Sequence, residues 1–361
     1  MSGLFEAFAL GPLRLRTRLV MAPMSRAFCP EGVPTAAVAE YYARRARNHV
    51  GLTISEGAYI DHPAAACYPD CPNFFGERAL AGWRGVIDAV HAAGGAMFPQ
   101  LWHVGSHRRR GLPPNPALPG IAPSSYVNPL SGESEVARAM SERDVAEVID
   151  SFVRAAVNAQ QLGFDGVEIQ GSQGYLVDEF LWSKTNLRAD RYGGAIGSRA
   201  RFAAEIIAAI RRSVGPDFPI AFRFSQHKQQ DYDAIVATDP GELEQLITPL
   251  VDAGVSLFDV VARHYWQTAF TGSPLTLAGW FRKLSGKPAI AIGGVGLDTA
   301  GQRDGAIASL DQLTELLARD EFDLIAVGRA LLADAEWGTK VLEGRLDERR
   351  AYRTDMRRTL D

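Results

Sequence analysis

Gln170, Gln173 and Tyr175 follow one another closely, directly after the apolar run Val167-Glu168-Ile169. Each glutamine amide carries N–H donors beside a carbonyl acceptor. A phenol with a solution pKa of about 10 is protonated at neutral pH and suited to general-acid work. A tyrosine here can also be a plain pocket wall. The stretch Asn186-Leu-Arg-Ala-Asp190-Arg-Tyr-Gly193-Gly194 then reads as loop chemistry leading into a helix.

Other reactive or ligand-holding types recur at the ends of short apolar runs. The run Leu19–Pro23 ends in Ala22-Pro23-Met24-Ser25-Arg26, where a proline and free backbone groups can lie along a flat ring or simply turn. Gly57 follows Ser55-Glu56 and permits close backbone approach to a ligand. Gln100-Leu101-Trp102-His103 places an amide donor and acceptor beside an indole that can wall a pocket. His103 reads as an interior hydrogen-bonding residue rather than a base. Arg223 sits among apolar residues in Ile220–Ser225, so its charge must be paired or hydrogen-bonded. Gly293-Gly294 and Gly328-Arg329 close the last two runs, a pairing that suits a phosphate held by backbone N–H groups and an arginine fork.

The elements that must position these residues are legible. Eight β-like runs recur: Leu19–Pro23, Leu52–Glu56, Met97–Trp102, Gly166–Gln170, Ile220–Ser225, Leu257–Ala262, Ala289–Gly293 and Leu324–Gly328. Near-continuous apolar character suits parallel strands buried on both faces, and helical spacing lies between them. Ser141 reads as a helix cap ahead of Val145, Val148, Ile149 and Phe152, and Arg201–Val214 as a helix ended by Gly215-Pro216. Eight such units favour an α/β class, a closed (β/α)8 TIM barrel, over an open sheet. In that fold working residues gather at the C-terminal strand ends, which is where the candidates fall. Leu4–Leu19 holds Gly11-Pro12 between alternating runs and predicts an N-terminal β-hairpin under the barrel. Leu112–Ser125, with five prolines, predicts a long stiff loop after strand 3. No linker is evident, so residues 1–361 read as a single domain.

Composition narrows the function classes. The chain has 361 residues, 47% of them hydrophobic and 22% charged, with a formal net charge of −4. That balance gives no broad pull toward nucleic acid. The basic runs Arg108–Arg110 and Arg349, Arg350, Arg357, Arg358 read first as solvated faces and second as phosphate contacts. Cys29, Cys67 and Cys71 make no disulfide framework, and Cys67 with Cys71 is too small a ligand set to predict a metal. No apolar run reaches spanning length and no signal peptide is evident, so the expectation is a cytoplasmic protein without a membrane partner.

The block Gly163–Phe202, with Pro23-Met24, Tyr41-Tyr42, Arg45-Ala46, Gln100-Leu-Trp-His and Gly328-Arg329, resembles the Old Yellow Enzyme family, the FMN-dependent ene-reductases on a TIM barrel. The resemblance runs from Leu4 to about Trp337 and implies the branch without iron–sulfur or pyridine-nucleotide domains. It implies FMN as cofactor, NADH or NADPH as reductant and a small-molecule alkene conjugated to a carbonyl or nitro group as substrate. Hydride would pass from flavin N5 to Cβ, and Tyr175 would protonate Cα from the opposite face. It assigns Pro23, Met24, Ser25, Gly57, Gln100, Gln170, Arg223, Gly293, Gly294, Gly328 and Arg329 to the flavin, and Trp102 and Tyr175 to the substrate pocket. Relatives range from monomers to homo-oligomers. One departure stands out. The family places His and then His or Asn where this chain has Gln170 and Gln173, and Thr or Cys where it has Ser25. Neutral amides keep the donors but cannot carry charge. That leaves three expectations open: an unusual or displaced acceptor, weakened turnover of simple enones in a flavin-binding protein, or a flavin dehydrogenase or desaturase reaction.

Overall fold

The computed structural model describes residues 2–131, 136–297 and 309–361. The alternating runs beside Gly11-Pro12 form the expected hairpin, β1 (Phe8–Leu10) with β2 (Leu13–Leu15). The apolar runs then supply barrel strands β3 (Leu19–Met21), β4 (Leu52–Tyr59) and β5 (Ala96–Trp102). A small side sheet follows, of β6 (Ile121–Ala122), β7 (Tyr126–Val127) and β8 (Val136–Ala139). The barrel resumes with β9 (Val167–Gln173), β10 (Ile220–Lys228), β11 (Leu257–Val261), β12 (Ala289–Ile292) and β13 (Leu324–Val327). These eight strands pair in parallel and close on themselves in the order β3-β4-β5-β9-β10-β11-β12-β13. The proline-rich Leu112–Ser125 is mostly irregular, but Ile121 and Ala122 escape it, pairing with Arg138 and Ala139 where no proline removes a donor.

Eleven α-helices are described: α1 (Ala36–Arg47), α2 (Glu77–Ala92), α3 (Glu142–Gln161), α4 (Leu176–Leu181), α5 (Ile196–Arg199), α6 (Arg201–Val214), α7 (Pro240–Asp252), α8 (Leu277–Ser285), α9 (Leu310–Ala318), α10 (Arg329–Ala333) and α11 (Trp337–Leu342). Ser141 caps α3 in a reciprocal capping box with Asp144, and Gly215 ends α6 with φ +82°.

The barrel interior is filled rather than hollow. Val20, Leu52, Ile54, Phe98, Ala221, Leu257, Ile290 and Leu324 pack together inside it, and Leu10 and Leu15 of the hairpin press on them from below. The N-terminal end is thereby stoppered, and open space is left at the C-terminal ends of the strands. No helix among the described residues is long and apolar enough to cross a membrane.

Candidate functional site

Among the cavities at that end of the barrel, two adjoin and hold the expected site residues. The smaller, about 280 Å3, is lined by Pro23, Met24, Ser25, Gly57, Gln100, Trp102, Gln170, Gln173, Tyr175, Arg223 and Arg329, together with Gln229, Leu332 and Arg357. The larger, about 830 Å3, shares Pro23, Met24, Gln173, Arg223 and Arg329, and adds Gly293, Gly294 and Gly328. Every site residue expected from the sequence therefore lines one connected cleft. Leu332 was not expected there; Gln229 belongs to the polar segment Gln226–Tyr232 that follows the fifth strand at the mouth, and Arg357 to a basic run whose second reading was phosphate contact. Among the described residues, no Asp or Glu lines either cavity.

The segment after β3 is shaped from β4. Glu56 Oε2 accepts the backbone N–H groups of Arg26 and Ala27 at 2.8 and 2.9 Å, which fixes Met24 and Ser25 at the rim. Gly57 has a packing reason as well as a lining position. A Cβ there would stand 2.5 Å from the Trp102 ring. Trp102 in turn stacks on Tyr59 at 5.0 Å and meets Tyr175 edge-on at 4.9 Å. His103 is buried. Its Nδ1 accepts from the Gly105 N–H at 3.1 Å, so Nε2 carries the proton toward His62 Nδ1, also at 3.1 Å. Burial holds its pKa well below the usual value, and it is a neutral interior residue as expected.

β9 delivers the amides and the phenol, and each amide has its oxygen engaged. Gln170 Oε1 accepts from Ser172 Oγ at 2.7 Å. Gln173 Oε1 faces Gln229 Nε2 at 3.4 Å. Both side chains thus keep their NH2 groups for the cleft. Gln173 adopts a left-handed φ of +61°, a conformation that costs a non-glycine residue of order 1–3 kcal/mol. It is held by Ser225 Oγ, which accepts its N–H at 2.9 Å. Just beyond, Asp178 Oδ2 accepts from Gly174 N at 2.6 Å, and its other oxygen pairs at 2.6 Å with Lys228, both side chains being fully buried. That pair pins the β9–α4 corner to β10. Tyr175 accepts from Gln229 Nε2 at 2.9 Å. Burial pushes its pKa up to about 12, so the phenol is protonated across the neutral range.

Beneath the cleft lies a buried polar group of four. Gln100 Nε2 donates to Glu168 Oε1 at 2.7 Å, which leaves one N–H and the amide oxygen of Gln100 for a ligand. Arg223 forms an ion pair with Asp259, as a structural reading of a buried arginine expects, while still lining the cleft. Glu168 Oε2 and Asp259 Oδ1 are both buried without another donor. Burial, and next the adjacent Asp259, push the Glu168 pKa well above the carboxylate range. A proton on Glu168 shared with Asp259 satisfies both oxygens.

At the other end of the cleft the chain comes close to itself. Gly293 has φ +148°, and a Cβ there would lie 2.4 Å from the Ala262 carbonyl. Gly294 has φ +77°. Gly328 precedes α10, which begins at Arg329.

The sequence matches the family described as NADH:flavin oxidoreductase / NADH oxidase over residues 3–348. The chain belongs to that family. Within the NADH:flavin oxidoreductases it is 33% identical over 354 residues to the NADH oxidase of Thermoanaerobacter brockii, covering 96% of this chain and 51% of that protein. The chain thus spans about half the length of that curated relative. Among solved structures, an old yellow enzyme homologue from Zymomonas mobilis superposes with a TM-score of 0.83 at 26% identity, covering 99% of this chain and 96% of the other. Morphinone reductase in complex with tetrahydroNAD gives 0.83 at 26% identity, covering 98% and 94%.

The donor set of this family member fits flavin mononucleotide. A ring with an amide-like edge needs mixed donors and acceptors, which Gln100 and Gln170 offer. A phosphate needs N–H groups and a cation without a competing carboxylate, and the lining around Gly293, Gly294, Gly328 and Arg329 has that character.

Proposed function

We propose that this chain is an FMN-dependent NAD(P)H oxidoreductase that reduces activated alkenes, its residues forming one flavin-binding barrel domain. The observation that carries the reading is the convergence of two amide NH2 groups and a buried protonated phenol on a cleft that no carboxylate lines among the described residues. Pro23, Met24, Ser25, Gly57, Gln100 and Arg223 would hold the ring, and Gly293, Gly294, Gly328 and Arg329 the phosphate. FMN, when bound, supplies the hydride. The chain's own work is electrostatic and protic. Gln170 and Gln173 direct N–H dipoles at a carbonyl or nitro oxygen and stabilise the negative charge that grows on it. Tyr175 Oη holds the proton that the substrate carbon takes up, and Gln229 orients that hydroxyl. Trp102 excludes water from one side. NADH or NADPH would enter before the acceptor through the larger cleft, which has Arg263 and His264 on its wall.

The test is the visible spectrum of purified protein, followed anaerobically through addition of NADPH and then cyclohexenone. Bleaching followed by return of the yellow colour is expected. Bleaching without return redirects the reading to the oxidative direction, and a chain that cannot be loaded with FMN overturns it.

A further inference from the structure

We propose that the C-terminal turn Thr354–Arg358 is part of the ligand site, and that Arg357 supplies its guanidinium to a phosphate-bearing ligand in the cleft. The inference rests on the flavin reading above. Arg357 lines the small cavity with Gln173 and Tyr175, and also the large one with Gly293, Gly294 and Arg329. It stands where the two meet. Its Nε donates to Tyr352 Oη at 2.8 Å, and the Tyr352 ring lies 5.9 Å from the Arg329 guanidinium. One tyrosine thus ties the turn to the glycine-lined end of the cleft. Among the described residues, no carboxylate pairs with Arg357; its hydrogen-bond partner is that neutral phenol.

The turn is anchored in a way that a solvated basic face does not require. Arg26 Nη2 donates to the Met356 carbonyl at 3.4 Å and also to that of Thr359. Arg44 donates to the Leu360 carbonyl, and Arg45 Nη2 to the main-chain oxygen of Asp361 at 2.5 Å. Arg45 is fully buried, and its remaining N–H groups bond the Tyr41 and Leu331 carbonyls. Three guanidinium groups therefore grip main-chain oxygens of this segment. Their effect is to hold a segment that would otherwise fray. What they hold in place is the Arg357 side chain at the mouth.

The charge balance names the ligand class. Arg223, Lys228, Arg263, Arg329 and Arg357 all line the large cleft, and among the described residues no acid does. Arg223, Lys228 and Arg263 are engaged by Asp259, Asp178 and Asp233. Arg357 has no such partner, and a cation gathered beside other cations is unfavourable until an anion enters. A phosphate group with two negative charges and a guanidinium fork match in geometry and sign. The same chemistry has two sources here, the phosphate of FMN and the phosphates of a nicotinamide dinucleotide.

The experiment separates them. Deflavinated wild-type, Arg357→Gln and Arg357→Lys chains are titrated with FMN and with riboflavin, following flavin fluorescence. The reconstituted proteins are then titrated anaerobically with NADPH. Loss of one charge-assisted contact should weaken one phosphate ligand about tenfold in the Gln variant, with partial recovery in the Lys variant. The difference should shrink as KCl screens the pair. Weakened FMN with unchanged riboflavin assigns the contact to the flavin phosphate. Unchanged FMN with a raised NADPH half-saturation assigns it to the dinucleotide. Equal losses for FMN and riboflavin, or no change in any titration, overturn the inference. A wild-type chain that binds no FMN sinks the parent reading, and this one with it.

Discussion

The buried group of Gln100, Glu168, Arg223 and Asp259 yields a prediction that depends on no substrate. Glu168 is held protonated by burial and by Asp259, so Glu168→Gln exchanges one neutral hydrogen-bonding group for another. Its cost should be about 1 kcal/mol or less. Asp259→Asn removes the partner of Arg223, but it also removes the charge that keeps Glu168 neutral. Glu168 can then ionise and take over the pair, so the loss should be intermediate. The double variant leaves Arg223 buried with no counter-charge, which costs about 3–5 kcal/mol, or a fall in melting temperature on the order of 10 °C. The three losses should be visibly non-additive, as expected for groups in one network. The assay is urea unfolding at pH 7 with FMN held at one concentration, because a ligand of the folded state adds to apparent stability. The sign of the pH dependence is a second check. A carboxyl whose pKa rises on folding binds its proton more tightly in the folded state. Its contribution is present below the unfolded value of about 4.3 and is lost as pH rises above it. Glu168→Gln should therefore gain on the wild type steadily from pH 5 upward. A Gln variant as damaged as the double variant, at every pH, would refute a protonated Glu168.

Further outcomes follow from the same geometry. Tyr175→Phe should slow flavin reoxidation by an enone by about 10^2–10^4 while leaving bleaching by NADPH intact, as read in separate stopped-flow half-reactions. Gln170→His with Gln173→Asn should raise cyclohexenone turnover if the amides grip the oxygen weakly; no gain would exclude that explanation of the Gln pair. Wild-type stability should decline between pH 5 and 8, because burial raises Glu56 to about 7 and Glu179 to about 8, so each loses its folding contribution over that window. Glu179→Gln should flatten the upper part of that decline in the same urea titration.

The barrel was legible because its strands are apolar on both faces, and all eight runs became strands. Their ends were less so. β4 extends to Tyr59 and β10 to Lys228, beyond the expected Glu56 and Ser225. Ladder pairing continues past register shifts between Ile54 and Gly57 and between Phe224 and Lys228, where side-chain polarity already suggests a loop. The cleft lining was legible through strand-end position, which brought Pro23, Gln100, Arg223 and Gly328 together from distant parts of the chain. What stayed hidden was hidden for a physical reason. Gln229 was legible only as part of a polar segment at the mouth, since its bond to Tyr175 needs the bulge in β10. Arg357 lay in a basic run that read first as a solvated face, because the turn is held through its main-chain oxygens, which carry no residue type to read. The resting protonation of Glu168 depends on burial and then on Asp259, a neighbour in space but not in sequence.

The hairpin beneath the barrel has a kinetic corollary. A cup sealed at its base is entered from its rim. On the reaction proposed here, electron donor and electron acceptor must use it in turn, each leaving before the other arrives. Steady-state velocities should give parallel double-reciprocal lines, the pattern of a ping-pong cycle. Excess of one reactant should hold the other outside, so that rate falls at high acceptor concentration and recovers as NADPH is raised.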